Sequence, residues 1–123
     1  MWYIEYFTEP SGCQPVAEWL DYLDKSDKNI SANMQDKIVR LQQNGLTLLN
    51  TNMMKPLKGC GSDFYELKYS NYRIALYHEK ARNIFVLLHG FKKERRRESR
   101  EIETACSRLR EYQSRGQSYE QDI

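Results

Sequence analysis

Three segments that alternate in polarity follow one another between residues 63 and 91, with only short polar breaks between them. Nothing else in the chain limits its fold as strongly. Asp63–Tyr69 carries Tyr65, Leu67 and Tyr69 on one face and Phe64, Glu66 and Lys68 on the other. Tyr72–His78 sets Tyr72, Ile74 and Leu76 against Arg73, Ala75 and Tyr77. Ile84–Phe91 is β-branched and apolar on both faces, as a central strand is. A period of two is the signature of a strand. The breaks, Ser70-Asn71 and Glu79–Asn83, are too short for a crossover, so the three strands are predicted to form an antiparallel meander.

The first half of the chain supplies the cover for this sheet. Trp2–Phe7 is aromatic and β-branched and reads as a strand, ended by Pro10, Ser11 and Gly12. Pro15 suits the first turn of a helix in which Val16, Trp19, Leu20 and Leu23 share one face. Ser26-Asp27 offers the cap of a second helix, with Ile30, Met34, Ile38 and Leu41 as its stripe and Asn44-Gly45 as its stop. Residues 46–62 read as irregular. A last helix starts near Ser99 and buries Ile102, Ala105, Cys106, Leu109 and Tyr112. The predicted order is β-α-α-β-β-β-α, a single α+β domain whose helices pack on one face of a twisted antiparallel sheet. A length of 123 residues fits one such domain. We place the domain at 1–112 and read 113–123 as a polar, flexible tail.

The net charge of +2 conceals an uneven distribution: −5 over residues 1–36, +9 over 37–100 and −2 over 101–123. Basic stretches of folded domains often face polyanions, although they also serve simply to solvate a surface. The longest apolar run, Ile84–Leu88, is far too short to cross a bilayer, and the N-terminus lacks the features of a signal peptide. We therefore expect a cytoplasmic protein with no membrane contact. Cys13, Cys60 and Cys106 are odd in number and widely spaced, fitting neither a disulfide framework nor a zinc site, and read as reduced thiols.

Two clusters remain as candidates for chemistry. Glu66, Lys68, Arg73 and Tyr77 share the polar face of the meander. The same pattern fits an exposed sheet face with ordinary cross-strand ion pairs. Lys92-Lys93-Glu94-Arg95-Arg96-Arg97-Glu98-Ser99-Arg100 then leads into the last helix. Cations at a helix N-terminus oppose its dipole, so gathering them there favours a phosphate-binding role.

The motifs Phe64-Tyr65-Glu66-Leu67-Lys68, Asn71-Tyr72-Arg73-Ile74, Val86-Leu87-Leu88-His89-Gly90-Phe91-Lys92-Lys93 and Glu101-Ile102-Glu103-x-Ala105 together resemble the phage-derived, HigB-like branch of RelE-type toxins. The resemblance spans about residues 14–112. It implies a small microbial-ribonuclease-like fold and a ribosome-dependent endoribonuclease that cuts mRNA in the ribosomal A site. It also implies neutralisation by a cognate helix-turn-helix antitoxin. The implied reaction is attack of the RNA 2′-hydroxyl on the adjacent phosphate, for which no metal or other cofactor is needed. By the resemblance, Arg73 is the phosphate clamp, suited to it by the forked guanidinium. Lys68 helps activate the nucleophile. Lys93 is the basic residue after the last strand. Glu66 stands where RelE has a lysine and is either a general base or a partner for Arg73. His89 is a candidate proton donor to the leaving oxygen, although a histidine at a strand end is often packed and hydrogen-bonded. Lys92, Arg95, Arg96 and Arg97 would hold RNA phosphates without regard to sequence. The tyrosine that RelE places near its C-terminal region has no counterpart in Glu94–Glu101, so base stacking would fall to Tyr77 or Phe91. Two alternatives stay open: a non-catalytic, phage-derived nucleic-acid-binding module, and a domain whose basic surface docks an acidic protein.

Overall fold

A computed structural model of the chain describes residues 2–94 and 98–121. The order is β1 (Tyr3–Tyr6), α1 (Pro15–Ser26), α2 (Lys28–Asn44), a 3-10 helix (Gly45–Asn50), β2 (Met54–Pro56), β3 (Phe64–Tyr69), β4 (Tyr72–Glu79), β5 (Ile84–Lys92) and α3 (Glu98–Gln121). The α+β class and the meander β3-β4-β5 are those expected from the sequence. The helical hairpin forms for the local reasons given above. Pro15 opens α1, and the Asp27 side chain accepts from the Ile30 N–H at 3.3 Å to cap α2. Gly45 ends α2 with φ +59°, and a Cβ there would lie 2.1 Å from the Trp2 indole, so only glycine fits.

The sheet order is β1-β5-β4-β3-β2. β1 runs parallel to β5, with Tyr3 opposite Ile84, which makes the sheet mixed rather than purely antiparallel. The α1–α2 hairpin is the crossover that a parallel pairing requires somewhere in the chain. β2 is an addition within the segment predicted to be irregular. Its three residues end in Pro56, which confines it to a sheet edge.

The sheet is covered on both faces, and this corrects the expectation of one greasy face and one open polar face. Leu67, Ile74, Leu76, Phe85 and Leu87 pack with Val16, Leu20, Met34, Ile38 and Leu41 under α1 and α2. Phe64, Ala75, Val86, Leu88 and Phe91 pack with Ala105, Cys106 and Leu109 under α3. The physical reason is a shift of register in the central pair. Ala75 faces His89 but Leu76 faces Leu87, so Leu88 is an extra residue that bends β5 and adds apolar surface on the α3 side.

One further expectation changes. Cys60 and Cys106 are joined by a disulfide with Cα atoms 5.4 Å apart, and Cys13 alone keeps a free thiol. Linear spacing gave no sign of this, because only the packing of α3 on the sheet brings the loop after β2 against it. Helix α3 extends to Gln121, and Arg115 ties it to the segment after β1, donating to the Thr8 carbonyl at 2.6 Å and, within the helix, to Glu111 at 2.8 Å.

No helix among the described residues is long and apolar enough to cross a membrane.

Candidate functional site

The β3–β4 hairpin turns tightly at Ser70, whose φ is +53°. The turn sets Lys68 directly opposite Arg73 and Glu66 opposite Ala75. All four lie on the α3 side of the sheet. Arg73 reaches diagonally to Glu66, with Nε 3.7 Å from Oε1. Both residues are deeply buried, Glu66 at 3% and Arg73 at 6% exposure. Arg73 Nη1 also donates to the Ser70 carbonyl at 2.6 Å and the Tyr72 carbonyl at 2.9 Å, so the guanidinium is fixed by its own turn. Among the described residues, Glu66 Oε2 and Arg73 Nε have no hydrogen-bond partner. Buried polar atoms left in that state are uncommon.

Lys68 is half-buried beside this pair. Burial foremost, with the neighbouring Lys55 and the Arg73 charge, lowers its pKa below the ordinary lysine value, and Glu66 only partly opposes them. A lysine so placed can act as a base. Lys93 arrives at the same end from β5. Its backbone N–H donates to the Asn71 carbonyl at 2.5 Å, and its Nζ lies 3.7 Å from Glu98 Oε1. Glu66, Lys68, Arg73 and Lys93 are thus gathered at one end of the sheet. Lys92 turns to the other face, with Nζ 5.8 Å from the Tyr72 ring centroid. Arg95, Arg96 and Arg97 lie outside the described residues.

His89 lies in the same row of the sheet, opposite Ala75, but its ring is engaged by α3, and Tyr77 lies farther along β4 from Arg73. His89 Nδ1 accepts from Arg108 Nη1 at 2.9 Å, and its Nε2 bonds Glu101. Arginine can only donate, so the neutral ring carries its proton on Nε2, toward the carboxylate. Burial foremost, with the Arg108 charge, lowers the His89 pKa against the pull of Glu101. Tyr77 lies four residues along β4 from Arg73, roughly 13 Å at the rise of a strand. It pairs with Phe64 and lines a separate cleft of about 380 Å³ with Tyr112, Arg82 and Arg115.

With this geometry described, comparison with known proteins locates the chain. Residues 21–110 match the model of the phage-derived Gp49-like family (DUF891). The chain belongs to that family. The match runs from within α1 into α3 and contains Glu66, Lys68, Arg73, His89 and Lys93. It bears out the phage-derived branch to which the motifs point. Among solved structures, the RelBE2 toxin–antitoxin complex from Mycobacterium tuberculosis is similar at 18% identity, with a TM-score of 0.38, over 58% of this chain and 83% of that chain. No curated protein matches the chain.

Two residues of this Gp49-like chain that bear on the site were not singled out in the sequence. Lys55 sits on β2, opposite Glu66, in the stretch read as irregular. The signal was present in Met53-Met54-Lys55-Pro56, a short run ending in proline as edge strands do. Arg108 lies on the polar flank of a helix whose apolar stripe alone was legible. Its contact with His89 depends on how α3 crosses β5.

Proposed function

We propose that this member of a phage-derived toxin family is the toxin of a toxin–antitoxin pair and cuts mRNA on the ribosome by 2′-hydroxyl attack. The observation that carries the reading is the sheet end where Lys68 faces Arg73 and Lys93 is tied to the same turn. Lys68, with its lowered pKa, takes the 2′-hydroxyl proton on its amine. The 2′-oxygen then bonds the adjacent phosphorus, and the bond from phosphorus to the 5′-oxygen breaks. Arg73 and Lys93 stabilise the extra negative charge on the phosphate oxygens. Glu66 is the partner that aims Arg73. In this reading His89 packs α3 and is not the acid, since both ring nitrogens are already engaged. Arg95–Arg97 hold flanking phosphates, and Lys92, turned to the other face, does not join them. A helix-turn-helix antitoxin that covers this end of the sheet would silence the enzyme.

The test is growth arrest on expression. Lys68→Met and Lys93→Ala should each relieve it, since losing one transition-state contact costs about 10²–10³ in rate. Arg73→Ala also leaves the Glu66 carboxylate buried without its partner, at a cost of about 3–5 kcal/mol. Arg73→Lys is therefore the variant to use, with thermal unfolding measured beside it. Full toxicity in both Lys68→Met and Lys93→Ala would overturn the site.

A further inference from the structure

We propose that the cleft between β1, β4 and α3 is a binding site for an organic cation, a guanidinium or ammonium group that packs against the rings of Tyr77 and Tyr112 and pairs with the Glu5 carboxylate. The cleft lies apart from the residues assigned to cutting, and its role does not depend on that reaction.

The sheet register builds one wall. Glu5 of β1 sits opposite Val86 of β5, and Val86 opposite Tyr77 of β4, so the three form one row on the face that α3 covers. Glu79 follows two residues along β4 on the same face, and Arg82 comes from the turn after it. Tyr112 and, nearly one turn further, Arg115 supply the other wall from α3. The volume between the walls is about 380 Å³, within the range of small-molecule sites.

The charges that line the cleft do not cancel. Arg82 is paired with Glu79 through two hydrogen bonds, of 3.0 and 2.7 Å. Arg115 is paired with Glu111 at 2.8 Å and donates to the Thr8 carbonyl. Among the described residues Glu5 forms no ion pair, and its Oε2 faces the Tyr112 oxygen at 3.2 Å. A phenol has a single proton to give. Glu79 Oε2, at 2.5 Å, is the nearer acceptor, and Arg82 donates to the same phenol oxygen at 2.9 Å. With that proton on the Glu79 side, Tyr112 donates nothing to Glu5. One carboxylate is therefore left without a cation at the edge of an aromatic cleft. The rings favour the same guest, because the face of an aromatic ring attracts a cation. The cleft already holds one such contact of the chain's own, the Arg115 guanidinium 5.3 Å from the Phe7 ring centroid. An anion would meet the unpaired Glu5, and both guanidiniums that would hold it are taken by carboxylates. A free amine and the basic side chain of a partner peptide carry the chemistry the cleft selects.

The experiment is an NMR titration of the full chain with putrescine, with arginine blocked at both ends, and with acetate at matched ionic strength. We expect saturable shifts of the Tyr77 and Tyr112 ring signals with one or both cations and none with acetate. Glu5→Gln should weaken that binding about tenfold, as loss of a charge-assisted contact does. Tyr77→Leu, which keeps an apolar wall without the ring, should weaken it about two- to fivefold. Glu103→Gln, an exposed carboxylate outside the cleft, should leave it unchanged. Glu5 is exposed, so its variant should keep the fold, and thermal unfolding of each variant checks this. Tighter binding of putrescine identifies the guest as a free amine, and tighter binding of blocked arginine identifies it as a partner's side chain. Shifts that never saturate with either cation, saturation unaltered by Glu5→Gln, or binding of acetate in their place each overturn the proposal. The titration needs no cutting, so it decides this site even if the nuclease reading fails.

Discussion

Arg73 illustrates how burial changes what a residue can contribute. A surface arginine meets a phosphate at the cost of ordering a long side chain. Here the turn carbonyls of Ser70 and Tyr72 and the carboxylate of Glu66 have ordered it beforehand. Such preorganisation is what transition-state stabilisation needs. His89 gives a prediction on the same scale. Its unfolded ring takes a proton near pH 6.5, as a free histidine does, and its folded ring only at lower pH, chiefly because it is buried. Between those values the unfolded state holds the additional proton. Stability should therefore fall as pH drops through that window and level off below it. Thermal unfolding followed from about pH 8 to about pH 5 should show this fall, and His89→Gln should flatten it. Alternation in the sequence was enough to put Glu66, Lys68 and Arg73 on one face, because a strand has a fixed period. It could not show how deeply they lie, since burial depends on which elements flank the strand. It also grouped Tyr77 with them, although distance along β4 separates Tyr77 from Arg73.

At the scale of elements, the long periodic segments were legible and the short or non-local ones were not. α1, α2 and the three meander strands carry their own signals in caps, stripes and turns. β2 has three residues, and the parallel partner of β1 lies some eighty residues away, so neither is written in a local window. The face under α3 was misjudged because the polar residues of β3 and β4 obscured Phe64 and Ala75, which share that face and pack with Val86 and Leu88 of β5. The bond between Cys60 and Cys106 belongs to this scale too, since it fastens the loop after β2 to α3. It should stabilise the fold by about 2–4 kcal/mol, mainly by restricting the unfolded chain. Denaturant unfolding with and without a dithiol reductant measures this. Cys60→Ala should reproduce the reduced midpoint and then ignore the reductant. An equal midpoint under both conditions would mean that the staple adds nothing.

Taken as a whole, the molecule is a mixed sheet with the α1–α2 hairpin on one face and α3 on the other. Lys55, Lys68, Arg73 and Lys93 come from four different strands or strand exits and are brought to one end of the sheet. The excess of +9 over residues 37–100 is thus partly gathered by folding into one place. A patch of that sign suits the phosphate backbone of RNA, and binding to it should weaken steeply with salt. Binding alone does not separate an enzyme from a passive module, whereas cutting does. Primer extension on mRNA recovered from translating ribosomes is therefore the most direct test. With wild-type protein we expect new 5′ ends inside the reading frame, absent with Lys68→Met and absent when ribosomes are left out. Intact mRNA in the presence of ribosome-bound wild-type protein, or equal cutting of naked mRNA, would contradict the proposed function.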